Sequence, residues 1–229
     1  MQNIMERILR LNTLTVLFDP DRIDTPAPGW FQPEWWQGRG PVTDLGGRGQ
    51  ALAVDGPIGS AVLRIYHRGG LVRHLSRSRY LFTGRDRTRP FREWRVTRSL
   101  FAAGLPVPEP LAAAFSRRGA LYTAALVTRR IEPAAELSTA ASSMQSAEWF
   151  ALGKTIARFA DAGLQHRDLN ATNILVDAEG RFHLLDFDRA TLAPGATDPG
   201  PMLRRLEHSL VKLGIEPDRE AIVRGIGPR

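Results

Sequence analysis

One short segment concentrates side chains that can take part in catalysis. The sequence LQHRDLNATNILV carries His166, Arg167, Asp168 and Asn173, and the sequence LLDFD that follows carries Asp186. A carboxylate and an amide oxygen, here from Asp186 and Asn173, are ligands of the kind that hold Mg²⁺ against nucleotide phosphates. Asp168 is suited to orient an attacking hydroxyl and to accept its proton, while His166 and Arg167 brace the loop. These residue types predict phosphoryl transfer.

A predicted β-hairpin places the polar side chains together. Two short apolar runs, 174–176 and 182–185, flank the turn-type tetrapeptide DAEG. If these four residues form the turn, Asn173 lies opposite Leu184, and Asp186 follows two positions later. The loop that carries the first acid leads into this hairpin, so we expect all three polar side chains at one end. A single acid after a strand is usually a turn residue, but the combined spacing favours a catalytic site.

The remaining elements fall into a strand-rich half and a helical half. Short β-type runs, ALAV and AVLRIY, are separated by glycines and predict antiparallel strands. In RTRPFREWRVTRSLFAAG, Pro90 lies early and Gly104 late, as expected for a helix of about 14 residues. In SAEWFALGKTIARFADAG, apolar residues recur at helical spacing, with Ser146 as the cap and Gly163 at the end.

Length and composition predict a folded protein of one domain or two lobes. The small, polar stretch at 132–143 separates the halves, so we expect an α+β fold with a β-rich domain 1–131 and a mainly helical domain 132–229. The chain has no cysteine and is 43% hydrophobic, which excludes disulfides and thiolate metal sites. Glu6 and Arg7 interrupt the apolar N-terminus, so we expect neither a signal peptide nor a transmembrane helix, and a cytosolic location.

The basic residues are unevenly distributed. The net charge is +7, and the segment 64–98 alone contains eleven arginines against two acids, Asp86 and Glu93. Such a segment predicts an anionic partner, which leaves nucleic acid, phospholipid headgroups and a phosphorylated substrate open.

The sequences HRDLNATN and LLDFD resemble the catalytic and metal-binding loops of the protein-kinase-like fold. By this resemblance, LGGRG (45–49) corresponds to a shortened glycine-rich hairpin over the nucleotide phosphates, formed by Gly46, Gly47 and Gly49. The strand AVLRIY occupies the place of the usual phosphate-binding lysine, where this chain has Arg64. Glu93 on the following helix is its expected ion-pair partner, since a guanidinium pairs well with a carboxylate.

Two departures separate the sequence from ordinary protein kinases. The third residue of the metal loop is Asp188 in place of glycine, and the sequence ends soon after it, without an A-P-E element or a peptide-docking region. We therefore expect a small C-lobe with a truncated C-terminus and a small or lipid-linked acceptor. PEWW, PVTDLGGRG, AVLRIYHRGGL, RPFREWR and HRDLNATNILVD resemble the 3-deoxy-D-manno-octulosonic acid (Kdo) kinases of the lipopolysaccharide kinase family, over nearly the whole chain.

This resemblance implies a defined reaction and location. It implies transfer of the γ-phosphate of ATP, with Mg²⁺, to the 4-hydroxyl of Kdo on a lipid A precursor. It also implies a peripheral enzyme at the anionic, cytoplasmic face of the bacterial inner membrane. A heptose kinase of the lipopolysaccharide core differs only in the acceptor pocket and stays open.

Two alternatives from other classes also stay open. The missing lysine motivates a catalytically impaired pseudokinase or scaffold, against which the intact Asp168, Asn173 and Asp186 argue. The arginine-rich segment motivates nucleic-acid binding, with nearby aromatic residues stacking on bases. Because the same aromatic residues fit the core of strands and a helix equally well, we expect no nucleic-acid partner.

Overall fold

The computed structural model describes residues 5–46, 50–66 and 79–228. The chain forms two compact units, of which the first comprises Met1–Arg98 and Glu109–Arg130 and the second comprises Ser99–Pro108 and Ile131–Arg229. It therefore crosses from one unit to the other three times. The functional lobes 1–131 and 132–229 stay a prediction, whereas the α+β class is confirmed by the elements of each unit.

The first unit is built on one antiparallel sheet. Its described strands are β1 (Arg7–Leu11), β2 (Leu14–Phe18), β3 (Val42–Asp44), β4 (Gln50–Val54), β5 (Ala61–Ile65), β6 (Tyr80–Leu81), β7 (Pro110–Arg118) and β8 (Leu121–Arg129). Seven of these follow the order β1-β2-β7-β8-β5-β4-β3, and β6 pairs with β8. The unit also holds α1 (Pro33–Gln37) and most of α2 (Arg89–Ala102). The predicted antiparallel pair β4 and β5 and the helix that opens near Pro90 are both confirmed.

Both faces of this sheet are covered. On one face, Val16 packs in a cluster with Trp30 and Trp36 from the tryptophan-rich segment before β3. The indole N–H of Trp36 donates to the carbonyl of Trp30 at 2.9 Å, which fixes that segment in the core. On the other face, Leu17 packs with Trp94 of α2. Successive residues of β2 thus point to opposite cores, as the alternation of a strand requires.

The second unit combines short strands with four helices in its described part. Its elements are β9 (Ala134–Glu136), α3 (Leu137–Ala140), α4 (Ser146–Asp161), β10 (Leu164–Gln165), β11 (Ile174–Asp177), β12 (Phe182–Leu184), β13 (Thr191–Leu192), α5 (Gly200–Lys212) and α6 (Arg219–Ile226). β11 lies between β12 and β9, and β10 pairs with β13. The early segment 99–108 joins this unit through a hydrogen bond from the Leu184 amide to the Pro106 carbonyl, at 3.0 Å.

The helices α4 and α6 cross with their backbones in contact. A Cβ atom placed on Gly153 would lie 2.1 Å from the carbonyl oxygen of Ile222, and one placed on Gly225 would lie 2.1 Å from that of Phe150. Only glycine permits so close an approach. The crossing therefore depends on two glycines that sit in the interiors of helices.

Two local predictions need correction. The hairpin β11–β12 pairs Ile174 with Leu184, so its register is shifted by one residue from the predicted one. The reason is a shorter loop, because the Asp177 carboxylate accepts hydrogen bonds from the amides of Glu179 and Arg181, and Gly180 adopts a φ of 73°. Helix α4 is capped by a capping box between Gln145 and Glu148 and not by Ser146, whereas its predicted end at Gly163 is confirmed by a φ of 84°.

Candidate active site

The catalytic loop is held in shape by its own side chains. Asn170 caps a short 3₁₀ turn, Ala171–Asn173, because its side-chain oxygen Oδ1 accepts from the amides of Thr172 and Asn173 at 3.0 and 3.1 Å. The side-chain amide nitrogen of Asn173 then donates back to the carbonyl of Asp168 at 2.9 Å. With its nitrogen used in this way, Asn173 has Oδ1 as the atom that can ligate a cation.

His166 joins the catalytic loop to the metal loop. Its Nδ1 accepts from the Asp168 amide at 3.3 Å, and its Nε2–H donates to the Leu185 carbonyl at 2.9 Å. Burial lowers the pKa of His166 below the ordinary value of 6.5, and the ring packs on Phe187. The neutral, Nε2-protonated ring satisfies both bonds, so His166 positions the backbone on both sides of the site. The predicted bracing role of His166 is confirmed.

Asp186 leaves the hairpin in an unusual backbone conformation. The Leu185 amide donates to the Asn173 carbonyl at 2.9 Å, so strand pairing continues to the residue just before Asp186. Asp186 itself has a φ of 60°, a left-handed conformation that few residues other than glycine adopt. In the observed register Leu185 lies opposite Asn173, so Asp186 follows one residue beyond that partner. The sequence had predicted Leu184 as the partner, with Asp186 two residues beyond it. The structure thus places Asn173 and Asp186 at the same end of the hairpin.

The predicted ion pair between Arg64 and Glu93 is present. Arg64 Nη1 lies 2.8 Å from Glu93 Oε1, and the side chain of Glu93 is only 2% exposed whereas that of Arg64 is 26% exposed. The Tyr66 hydroxyl donates to the other oxygen, Glu93 Oε2. Arg64 and Tyr66 therefore hold one buried carboxylate from the same face of one strand.

The identification of Tyr66 as a partner of Glu93 was missed from the sequence. Residues two apart on a strand share a face, so an arginine and a tyrosine spaced as in RIY carried a usable signal. Arg89 extends this cluster, since its guanidinium lies over the rings of Tyr66 and Tyr80 at 5.4 and 4.8 Å. These contacts fix the start of α2 near the ion pair.

The predicted glycine-rich hairpin is only partly described. β3 and β4 are paired, the Leu45 amide donates to the Ala51 carbonyl at 2.8 Å, and Gly46 has a φ of 75°. Gly47 and Gly49 lie outside the described residues. The arrangement confirms a hairpin at this point, and the phosphate-binding role of its glycines stays a prediction.

The predicted site residues form two groups, one in each unit. Arg64 and Glu93 are joined in the first unit. In the second unit, Asp168, Asn173 and Asp186 lie on segments that hydrogen bonds of His166 and Asn173 join together. Both groups take the local arrangement expected of them, and their catalytic roles stay predictions.

The second group has the donor set for a hard cation. One carboxylate and one amide oxygen suffice for Mg²⁺, which commonly takes one or two protein ligands and completes its shell with phosphates and water. No group of three or more His, Cys, Asp or Glu residues at metal-binding distance occurs in the part of the chain that is described. The residues present therefore fit a cation that is shared with a nucleotide.

Known proteins resemble this chain over most of its length. The profile of the lipopolysaccharide kinase (Kdo/WaaP) family matches residues 33–223. A 3-deoxy-D-manno-octulosonic acid kinase of Xanthomonas euvesicatoria pv. vesicatoria is 46% identical over 209 residues, covering 90% of this chain and 84% of that protein. The kinase of the same name from Xylella fastidiosa is 42% identical over 211 residues, covering 91% and 85%. With its kinase-like α+β fold and its paired catalytic loops, the chain belongs to the lipopolysaccharide kinase (Kdo/WaaP) family.

Proposed function

We propose that this protein phosphorylates the 4-hydroxyl of Kdo on a lipid A precursor, with ATP as the phosphoryl donor and Mg²⁺ as the cofactor. The observation that carries the proposal is the 46% identity, over nine tenths of the chain, to proteins named as Kdo kinases. The placement of Asp168, Asn173 and Asp186 on segments joined by hydrogen bonds of His166 and Asn173 supports the same chemistry, because it offers a base and two cation ligands on connected segments.

Each catalytic residue has a distinct task in this proposal. Asp168 orients the acceptor hydroxyl and takes its proton as the hydroxyl oxygen bonds to the γ-phosphorus, while the bond from that phosphorus to the bridging oxygen breaks and ADP leaves. Asn173 and Asp186 hold the Mg²⁺, which supplies charge neutralisation on the phosphates. His166 keeps the two loops in register through its bonds to Asp168 and Leu185.

Arg64 supplies the cationic contact to the nucleotide phosphates. Glu93 uses one side of the guanidinium at Nη1. A guanidinium is planar and carries five N–H donors, which suit the oxygens of a phosphate as well as those of a carboxylate. Glu93 and Tyr66 then set the direction in which Arg64 extends.

The proposal is tested by phosphate transfer from radiolabelled ATP to a Kdo-lipid A precursor, compared with a heptosylated acceptor. We expect transfer to the first, with a loss of about 10²–10⁴ in kcat for Asp168→Asn and a comparable loss for Asp186→Asn. Asparagine keeps the shape of both side chains and tolerates the left-handed backbone at position 186. Glu179→Gln, an exposed acid on the turn of the same hairpin, is the matched control.

Each other outcome has a clear meaning. Preference for the heptosylated acceptor would make the protein a heptose kinase. Absence of both transfer and ATP turnover would make it a pseudokinase or scaffold. Near wild-type transfer by either aspartate variant would remove the assigned roles.

We further propose that the protein acts at the cytoplasmic face of the inner membrane as a peripheral protein. None of the helices in the described part is long and apolar enough to cross a membrane. Three arginines near one another in sequence, Arg79, Arg87 and Arg92, are exposed, and Leu81 beside them is 60% exposed. Basic side chains with a protruding apolar residue suit an anionic lipid surface.

A further inference from the structure

Helix α5 lies directly against the catalytic loop. The amide of Ala171, between the proposed base and the proposed metal ligand, donates to Ser209 Oγ of α5 at 3.1 Å. Ala171 is fully buried, and the apolar stripe of α5, which includes Leu206 and Leu210, is fully buried as well. The helix is thus packed in place, and Ser209 fixes its register against the loop.

Arg205 lies on the loop-facing edge of this helix. It precedes Ser209 by four residues, so the two side chains lie on the same face of α5, one turn apart. The positive charge of Arg205 also helps to lower the pKa of His166, in agreement with a position on this side of α5. The side chain of Arg205 is nevertheless exposed. Arg205 therefore stands beside the catalytic segment and is open to a ligand.

The charge of Arg205 is not used within the described part of the protein. Other arginines of the second unit are ion-paired, such as Arg181 with Asp177 and Arg219 with Glu207. Arg205 makes no ion pair or hydrogen bond with any described residue, and the same holds for two exposed arginines on the catalytic segments, Arg167 and Arg189. Three uncompensated guanidinium groups thus occur on the two catalytic loops and the helix that supports one of them. Such a concentration favours an anionic ligand.

We propose that Arg205 binds an anionic group of the acceptor, a carboxylate or a phosphate, and so holds the acceptor hydroxyl next to the catalytic loop. The inference rests on the proposed function, whose acceptor carries both a sugar carboxylate and lipid phosphates. A guanidinium recognises either group through two parallel N–H···O bonds, which fix orientation as well as position. Arg167 and Arg189 contribute to the same positive field, while Arg205 makes the directed contact.

The same helix provides a matched control. Arg204 is also exposed, and at about 100° per residue it points away from the loop-facing edge that carries Arg205 and Ser209. Arg205→Gln and Arg204→Gln therefore remove the same charge from neighbouring positions. We expect Arg205→Gln to raise the KM for the Kdo-lipid A precursor about tenfold or more, the loss expected for one charge-assisted hydrogen bond. The KM for ATP and the melting temperature should match those of Arg204→Gln.

Two modified acceptors identify the anion. If Arg205 binds the sugar carboxylate, the methyl ester of that carboxylate should have a raised KM with the wild type and no further increase with Arg205→Gln. Removal of the lipid phosphates from the acceptor should then change the KM by the same factor for both enzymes. If a phosphate is bound, the pattern is reversed. Either pattern supports the proposal, and Arg205→Lys should recover part of the affinity because it keeps the charge.

Other results would overturn it. An unchanged acceptor KM in Arg205→Gln, a change equal to that in Arg204→Gln, or a loss confined to kcat or to the KM for ATP would exclude Arg205 as an acceptor ligand. Equal penalties from both modified acceptors in the wild type and in Arg205→Gln would do the same. Absence of transfer by the wild type would refute the proposed function and this inference with it, whereas an active wild type with an unaffected variant would refute the inference alone.

Discussion

At the scale of single residues, the first unit depends on how Glu93 is held. Two donors from one strand, Arg64 and Tyr66, occupy its two carboxylate oxygens. The tyrosine contact is the more buried, since Tyr66 is 3% exposed. Because Tyr66 binds Oε2 while Arg64 binds Oε1, we expect Glu93 to keep its place when Arg64 is substituted.

The two contacts of Glu93 predict different effects for substitutions of Tyr66 and Arg64. Tyr66→Phe removes a buried donor and should lower the free energy of unfolding by about 1–3 kcal/mol, measured by urea denaturation. Arg64→Ala should change stability less and should raise the KM for ATP, with Arg64→Lys intermediate because it lacks the planar fork. Glu93→Ala combined with Arg64→Ala should be less than additive in KM. Unaltered stability of Tyr66→Phe, or strict additivity, would contradict this arrangement.

His166 should make stability depend on pH. Its pKa is lowered in the folded protein, so the unfolded chain takes up a proton first as the pH falls. Above pH 6.5, the ordinary pKa of histidine, His166 is neutral in both states and does not reduce the free energy of unfolding. As the pH falls below 6.5, the free energy of unfolding decreases. Thermal melts of the wild type between pH 7.5 and 5 should fall more steeply than those of His166→Gln, which keeps a donor near the Nε2 position. Parallel curves would count against a buried, neutral His166.

At the scale of elements, the turn of the β11–β12 hairpin sets the geometry of the metal loop. Burial raises the pKa of Asp177, but hydrogen bonds from His183 and Arg181 outweigh it and lower the pKa to about 2. The same carboxylate accepts the amides of Glu179 and Arg181 that close the loop. Asp177 therefore fixes the register in which Leu185 lies opposite Asn173 and Asp186 follows directly.

Acid should weaken this hairpin. With a pKa of about 2 against the ordinary 3.8, the stabilisation by Asp177 is fully present above pH 4 and is lost as the pH falls towards 2. We expect Asp177→Asn to be less stable than the wild type at pH 6 by on the order of 1 kcal/mol, since its exposed arginine partner is screened by solvent. The difference should shrink in urea titrations between pH 4 and 2. A constant difference across this range would show that the charge of Asp177 is not involved.

The close crossing of α4 and α6 predicts that substitution of its glycines lowers stability. In Gly153→Ala, a methyl group would meet the carbonyl of Ile222, and backbone cannot yield as a flexible side chain can. We expect a loss of about 1–3 kcal/mol in the free energy of unfolding, or more. Gly38→Ala is the control, because its φ is −84° and nothing lies within 4 Å of the added methyl group. A Gly153→Ala variant as stable as Gly38→Ala would contradict the backbone contact.

At the scale of the whole molecule, the described arginines of the segment 64–98 are of two kinds, whereas Arg68, Arg73 and Arg77 lie outside the described residues. Some of these arginines form ion pairs within the protein: Arg95 pairs with Glu6 and Asp86, and Arg98 pairs with Asp19. Arg79, Arg87 and Arg92 are exposed and make no ion pair with any residue that the structure describes. The anionic partner expected from the sequence can therefore involve only part of this segment's charge.

The exposed members provide the test of membrane association. Reversal of Arg79, Arg87 and Arg92 to Glu should reduce sedimentation with vesicles that contain anionic lipid, because each basic group near such a surface contributes about 1 kcal/mol. The KM for a lipid-linked acceptor should rise while that for ATP stays unchanged, and added salt should mimic the substitutions. Unchanged sedimentation of the folded triple variant would refute the membrane role of these arginines. Reversal of Arg204, Arg219 and Arg224, three exposed arginines of α5 and α6, changes the net charge by the same amount and is the control for total charge.

Local patterns predicted most elements and the composition of the site, whereas contacts between distant residues escaped prediction. Periodicity and glycines were sufficient for α2, α4 and both strands of the catalytic hairpin. The register was wrong by one because side-chain bonds of Asp177 shortened the turn. The bonds of Ser209 to Ala171 and of Tyr66 to Glu93, and the glycine crossing of α4 and α6, join residues far apart in sequence. Neither hydropathy nor local propensity carries information about such pairs.

Because the chain crosses between its two units, the order of synthesis on the ribosome affects when residues 99–108 can fold. Residues 99–108 are synthesised early but belong to the second unit, where the Pro106 carbonyl accepts from the amide of Leu184. Until β12 leaves the exit tunnel, that carbonyl lacks its strand partner, even when the strands of the first unit are all available. During synthesis, residues 99–108 are therefore without this contact while the parts of the first unit on either side of them can already pair. We expect a stalled chain that ends before β12 to be cleaved by protease within residues 99–108.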